Sequence, residues 1–205
     1  MPKGMVNFAL AGLILGLKLW LLPRFLLMPG MLCYLSASAV ETGCYLLGWN
    51  APSWSASVNV LAMLAVIEAP AWAIGMQSDQ ERSAVRKWCW TLGTTICAAG
   101  VLGQPIIYPN YVASVYLIRL YCALFCVGYL SALLGYCWTN ALGVQRYVIH
   151  ASILLLRLGT FGALLLVHDR SRWFQADLAG EFVNILTLTA WLWLIPRRAP
   201  AQLLA

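Results

Sequence analysis

"SVNVLAMLAVIEAPAWAIGM", residues 57 to 76, is an almost unbroken apolar run that carries one carboxylate, Glu68, and a proline two residues later, Pro70. A bilayer core of about 30 Å needs roughly 20 apolar residues per crossing helix, and this run supplies them. Six further runs have the same character. The set lies at about 5–22, 31–47, 57–76, 88–107, 112–135, 147–167 and 178–195, separated by polar or Pro/Gly breaks. The expected fold is therefore an all-α integral membrane protein. It is a bundle of seven transmembrane helices with short loops, forming one polytopic domain over residues 1–205.

Composition agrees. Of 205 residues, 62% are hydrophobic and 10% charged, against about a quarter charged in a soluble domain. No repeat or low-complexity segment is visible. The opening "MPKGMVNFALAGLILGLKLWLLP" resembles a signal peptide in placing one Lys before an apolar run. Lys18 interrupts that run, and no small-x-small site precedes Pro23. We expect it to remain as the first helix.

Positive charge is retained on the cytoplasmic side of short loops. With seven spans, one side holds only Lys3, Arg170 and Arg172. The other holds Arg24, Arg82, Arg86, Lys87, Arg146, Arg197 and Arg198. The expected orientation is N-terminus outside and C-terminus in the cytoplasm, with Lys18 snorkelling inward, in the cell (cytoplasmic) membrane. The net charge of +6 is explained by facing anionic lipid and calls for no nucleic acid partner.

The seven cysteines, from Cys33 to Cys137, fall in or beside the runs, unlike a disulfide framework in exposed loops. Cys122 and Cys126 share a helix face, but no CxxC, CxxH or HxxxH spacing accompanies them. Cysteine as a small hydrophobic gap-filler is the expected role.

Positions 3, 4 or 7 apart share a helix face, and the polar residues obey that spacing. The first helix aligns Asn7, Ala11, Ile14 and Lys18, and the second Tyr34, Ser38, Glu41 and Tyr45. The fifth aligns Val115, Arg119, Cys122, Cys126 and Tyr129. The sixth aligns His150, Leu154, Arg157, Phe161, Leu164 and His168, and the seventh Asp177, Glu181, Asn184, Leu188 and Trp191. Each stripe should face protein, because an unpaired charge at mid-membrane costs at least about 2.5–3.5 kcal/mol.

Depth along each run suggests two ionic layers. Glu68 and Arg157 both fall near the midplane and are expected to pair. Nearer the outside, Arg119 is expected to hold both Glu41 and Glu181 through its fork of donors. Pro70 removes the helical bond to the carbonyl of Val66, and that helix break leaves an acceptor free at the level of Glu68. The stretch "GQPIIYPN", residues 103–110, reads as a helix end anchored by interfacial tyrosines.

Known chemistries are absent from the sequence. A retinal protein needs a Lys in its last helix, and "LAGEFVNILTLTAWLWLI" has none. PQ-loop bundles resemble this chain in span number and orientation but carry Pro-Gln motifs, and here only the reversed Gln104-Pro105 occurs. Seven-helix zinc hydrolases use several histidines, whereas His150 and His168 stand 18 residues apart, about 27 Å along one helix. No metal site is expected. Either histidine alone could ligate a haem or pigment from one side, yet no motif implies a cofactor. His168 and Asp169 are the only adjacent acid/base pair, so no enzyme is expected.

Two readings of function follow. The first is a non-catalytic accessory or assembly subunit of a larger membrane complex or oligomer, whose partners are the lipid bilayer and other membrane proteins or a second copy. Minimal loops and a GxxxG pair at Gly12 and Gly16 favour it. The alternative is a small proton- or cation-coupled transporter or channel using Glu68 at the Pro70 helix break. Three Glu against two Arg inside the bundle favour that one.

Overall fold

The computed structural model describes residues 3–26, 28–49, 52–73, 79–103, 111–139, 145–166 and 173–194. Among them the chain forms seven α-helices, one 3-10 turn and no strand. α1 spans Lys3–Leu21 and runs into the 3-10 turn Leu22–Phe25. α2 spans Pro29–Leu46, α3 Pro52–Ala73 and α4 Asp79–Leu102. α5 spans Tyr111–Thr139, α6 Gln145–Leu166 and α7 Trp173–Leu194. Over its described residues, each apolar run of the sequence thus falls on one helix.

The helix ends show where hydropathy misplaces boundaries. α2 and α3 begin on Pro29 and Pro52, ahead of the apolar runs, because proline is preorganised for the first helical position, where its missing N–H is no loss. α2 closes on Gly48, whose φ of 72° lets the Trp49 N–H reach back to the Cys44 carbonyl at 2.8 Å. That is the glycine-terminated end that satisfies orphan carbonyls. α3 continues through Pro70 to Ala73, so the helix is not interrupted there. The side chains of 69–73 lie outside the described residues.

Six helices close a ring. α1 packs on α2 and α7, α7 on α6, α6 on α5, α5 on α3, and α3 back on α2. α2 and α3 are antiparallel: Trp54, near the start of α3, donates from Nε1 to the Ala37 carbonyl at 3.1 Å, while Glu68 near its end meets Met31 near the start of α2. α4 stands outside the ring against α3 and α2. It approaches closely because glycines stand on its inner face beside Cys89 and Ile96. A Cβ on Gly93 would lie 2.6 Å from Cys33 Sγ, and one on Gly100 2.5 Å from Ser57 Oγ. Such small-residue contact is how helices associate where lipid offers no hydrophobic drive. Leu35, Leu61, Leu130, Leu154, Leu188 and Trp191 form the centre of the buried apolar cluster.

Two helical segments are long and apolar enough to cross a membrane, Met5–Phe25 and Val115–Thr139. Only 22% of each is buried, so most of their apolar surface faces outward, unlike the core helix of a soluble domain. Within α3, α6 and α7, the shorter stretches Ser53–Glu68, Val148–Leu164 and Leu178–Leu194 are also apolar. Seven helices are therefore present, but two rather than seven meet the criterion for spanning among the described residues. In two of the other helices polar residues lower the hydropathy: α2 carries Glu41 among Ser36, Ser38 and Thr42, and α4 opens on "DQERSAVRK".

Candidate functional site

Closing the ring turns the polar stripes toward one another, and they line an open cavity of about 430 Å³. α1 contributes Asn7, Ala11, Ile14 and Lys18, the four residues of its stripe. α2 contributes its stripe of Tyr34, Ser38, Glu41 and Tyr45. Arg119 enters from α5, Arg157, Phe161 and Leu164 from α6, and Glu181 and Asn184 from α7. α4 adds nothing, as its place outside the ring requires.

Charge within the cavity is uneven. Arg119 Nη2 pairs with Glu41 Oε1 at 3.2 Å, as the depth estimate anticipates, and the Ser55 hydroxyl donates to the same oxygen. The Arg119 guanidinium also lies 5.9 Å from the centre of the Phe161 ring. Glu181 does not share Arg119. It accepts instead from Asn184 Nδ2 at 3.3 Å, one turn along its own helix. The expected three-way outer layer is thus one pair plus a separate carboxylate facing the same space.

Lys18 does not snorkel. Its ammonium donates to the Ser38 carbonyl at 3.0 Å and to Thr42 Oγ1 at 2.7 Å, and the residue is 4% exposed. The reason is length: helical chain continues for seven more residues, to Phe25, so the side chain sits about 10 Å short of that end. It turns inward.

Arg157 and Glu68 are not brought together. Arg157, 7% exposed, donates from Nε to the Tyr34 hydroxyl at 3.0 Å and from Nη1 to Thr187 Oγ1 at 3.4 Å. Its guanidinium carbon lies 5.8 Å from both the Tyr34 and Trp191 ring centres, a cation–π arrangement on two faces. Glu68 Oε2 accepts from the backbone N–H of Met31 at 2.9 Å. It also lies against Gly30, where an added Cβ would be 2.7 Å away, and beside the Cys89 thiol. Met31 is the third residue of α2, where backbone N–H groups have no intrahelical partner and the helix dipole is positive. The buried carboxylate therefore caps a neighbouring helix, which explains its presence in an apolar run.

Rotation accounts for the miss. Asn59 lines the cavity, and Glu68 follows it by nine residues, about 180° around the helix. The polar face of α3 that meets the cavity was thus legible from Asn59, which the stripe reading passed over in favour of the charged residue. Thr42 and Thr187 were passed over too, because a threonine within an apolar helix gives little signal until a donor is placed beside it.

His150 is buried between rings, 6.1 Å from Phe25 and 5.8 Å from Trp191, and neither ring nitrogen forms a hydrogen bond. It does not line the cavity. His168 lies outside the described residues. No cluster of three or more metal-ligating side chains occurs among the described residues, and all seven cysteines are free. No family model, curated protein or solved structure matches the chain.

Proposed function

We propose that this chain is a non-catalytic polytopic protein of the cell membrane, with its N-terminus outside, that binds a small polar solute between its six ring helices and passes it across the bilayer. The observation that carries this reading is the cavity of about 430 Å³. Its volume falls in the range of small-molecule sites, and polar groups from six helices converge on it. A bundle built only for support would fill that space with apolar side chains, since buried polar groups cost energy unless satisfied. Wide outward exposure of large apolar residues, such as Trp138 at 89% and Trp193 at 90%, supports a lipid-facing exterior.

The solute site of this reading is the cavity and not the Glu68–Pro70 segment, because Glu68 is engaged at the start of α2. The accessory-subunit reading draws on one observation of its own. Gly12 and Gly16 face outward with nothing within 4 Å of an added Cβ, which suits close contact with another helix.

Counterflow in proteoliposomes tests the proposal. Vesicles preloaded with glycine, acetate or inorganic phosphate should take up the labelled form of at least one of them faster than protein-free vesicles. A bulky Asn184→Trp change at the cavity wall should remove that uptake. Equal uptake with and without protein for every probe, together with co-purification of a stoichiometric membrane partner, would favour the accessory role.

A further inference from the structure

We infer that the cavity's ligand carries an oxyanion, a carboxylate or phosphate group, which is received by Arg157 and Lys18. This inference rests on the cavity being a solute site and adds the chemistry of the solute.

Arg157 and Lys18 are both cavity-lining and both more than nine-tenths buried. Neither has a carboxylate within 4 Å among the described residues. Arg157 is held by two hydroxyls and two aromatic faces, and Lys18 by a carbonyl and a hydroxyl. All of these partners are neutral. An arginine cannot lose its proton in a protein, so the bundle buries at least one full positive charge with no counter-charge beside it. Such an arrangement is costly unless a negative group completes it.

The donors are also set out for an oxyanion. Arg157 uses Nε and Nη1 on the protein, and Nη2 forms no hydrogen bond to a described residue. A guanidinium edge with its remaining N–H groups directed at open volume is the usual receiver of carboxylate and phosphate oxygens. The tyrosine and threonine contacts, with Trp191 behind, fix the plane of the fork before any ligand arrives, which lowers the entropy lost on binding. The only ion pair among the described residues, Arg119–Glu41, already neutralises the other arginine. Lys18, Arg119 and Arg157 face Glu41 and Glu181 across the cavity, which leaves one positive charge in excess, and Arg157 is the arginine held by neutral groups alone.

An oxyanion can come free in solution or as the headgroup of an anionic lipid, and both are tested together. Purified protein in neutral detergent is titrated with acetate, inorganic phosphate, tetramethylammonium and glycerol while thermal unfolding is followed. The same protein is then placed in nanodiscs of phosphatidylcholine with and without phosphatidylglycerol. Saturable stabilisation by acetate or phosphate, absent for tetramethylammonium and glycerol, is expected. The apparent affinity should weaken at least tenfold in Arg157→Gln and recover in part in Arg157→Lys. Stabilisation by phosphatidylglycerol alone, with the same dependence on Arg157, would assign the oxyanion to a lipid.

If Arg157→Gln does not fold, Lys18→Gln takes its place with the same expected direction. Saturable binding of tetramethylammonium or glycerol but of no oxyanion would overturn the inference and leave the cavity as a solute site. Saturable oxyanion binding that both variants leave unchanged would also overturn it. Binding of none of the probes would count against both.

Discussion

Glu41 and Glu68 are both carboxylates inside the bundle, on neighbouring antiparallel helices, yet they meet different surroundings. Glu41 faces a cavity, about a third exposed, with Arg119 opposite and Ser55 beside it. Glu68 is 1% exposed and seated against the backbone of α2, with Gly30 making room for it. The first belongs to a wall that a solute can reach. The second satisfies a helix end where water is excluded. A charge in an apolar run therefore signals function only when its helix face opens on space, and one half-turn of rotation is enough to change the role.

Substitutions can break this division, and the largest effect is expected at Arg157. Arg157→Gln should weaken oxyanion binding by about 2–5 kcal/mol, the cost of truncating one side of a buried charge pair. Glu68→Ala should leave that binding unchanged, as titration of the two variants side by side would show. Similar losses of binding in both would erase the distinction between the two regions.

Stability should respond in the opposite order. Gly30→Val places side-chain atoms where Glu68 Oε2 lies and should cost about 1–3 kcal/mol by overpacking. Glu68→Ala removes the acceptor of the Met31 N–H and should cost a similar amount, about 1–3 kcal/mol. Because the two changes disturb one contact, the double variant should lose less than the sum. Thermal unfolding in detergent measures all three, and strict additivity would show that Gly30 and Glu68 do not act together.

Smaller effects are expected on the open sides. Glu41→Gln weakens a pair that is roughly a quarter to a third exposed and should cost under about 1 kcal/mol. Its signature is altered solute affinity and not a lower melting point. Gly12→Ala meets nothing within 4 Å and should raise helix stability slightly, by about 0.5–1 kcal/mol. A loss on Gly12→Ala would instead place a partner helix on that face.

Much of the cavity was legible because helical periodicity is local. Once Tyr34, Ser38, Glu41 and Tyr45 share a stripe, any closed bundle must bring that stripe to face protein; depth matches Arg119 with Glu41, but not with Glu181, and it does not bring Arg157 to Glu68. The neighbour of Glu68 was not legible. Its partner is a backbone amide at the start of α2, and nothing in a side-chain pattern marks an amide as unsatisfied until the helix start at Pro29 is known. Lys18 was misjudged for a related reason, since the 3-10 turn after α1 buries it more deeply than the apolar run alone implies. The exclusion of α4 from the ring depends on which helices pack, which one unaligned sequence leaves open.

Direct location of a bound anion tests the central claim most closely. A bromine-labelled short carboxylate soaked into crystals of the protein can be found by its anomalous scattering. A bromine peak is expected inside the cavity, with the carboxylate within hydrogen-bond distance of Arg157 Nη2 and adjacent to Lys18. A peak beside Glu68, or only among the exposed cations Arg86 and Lys87 on α4, would contradict it.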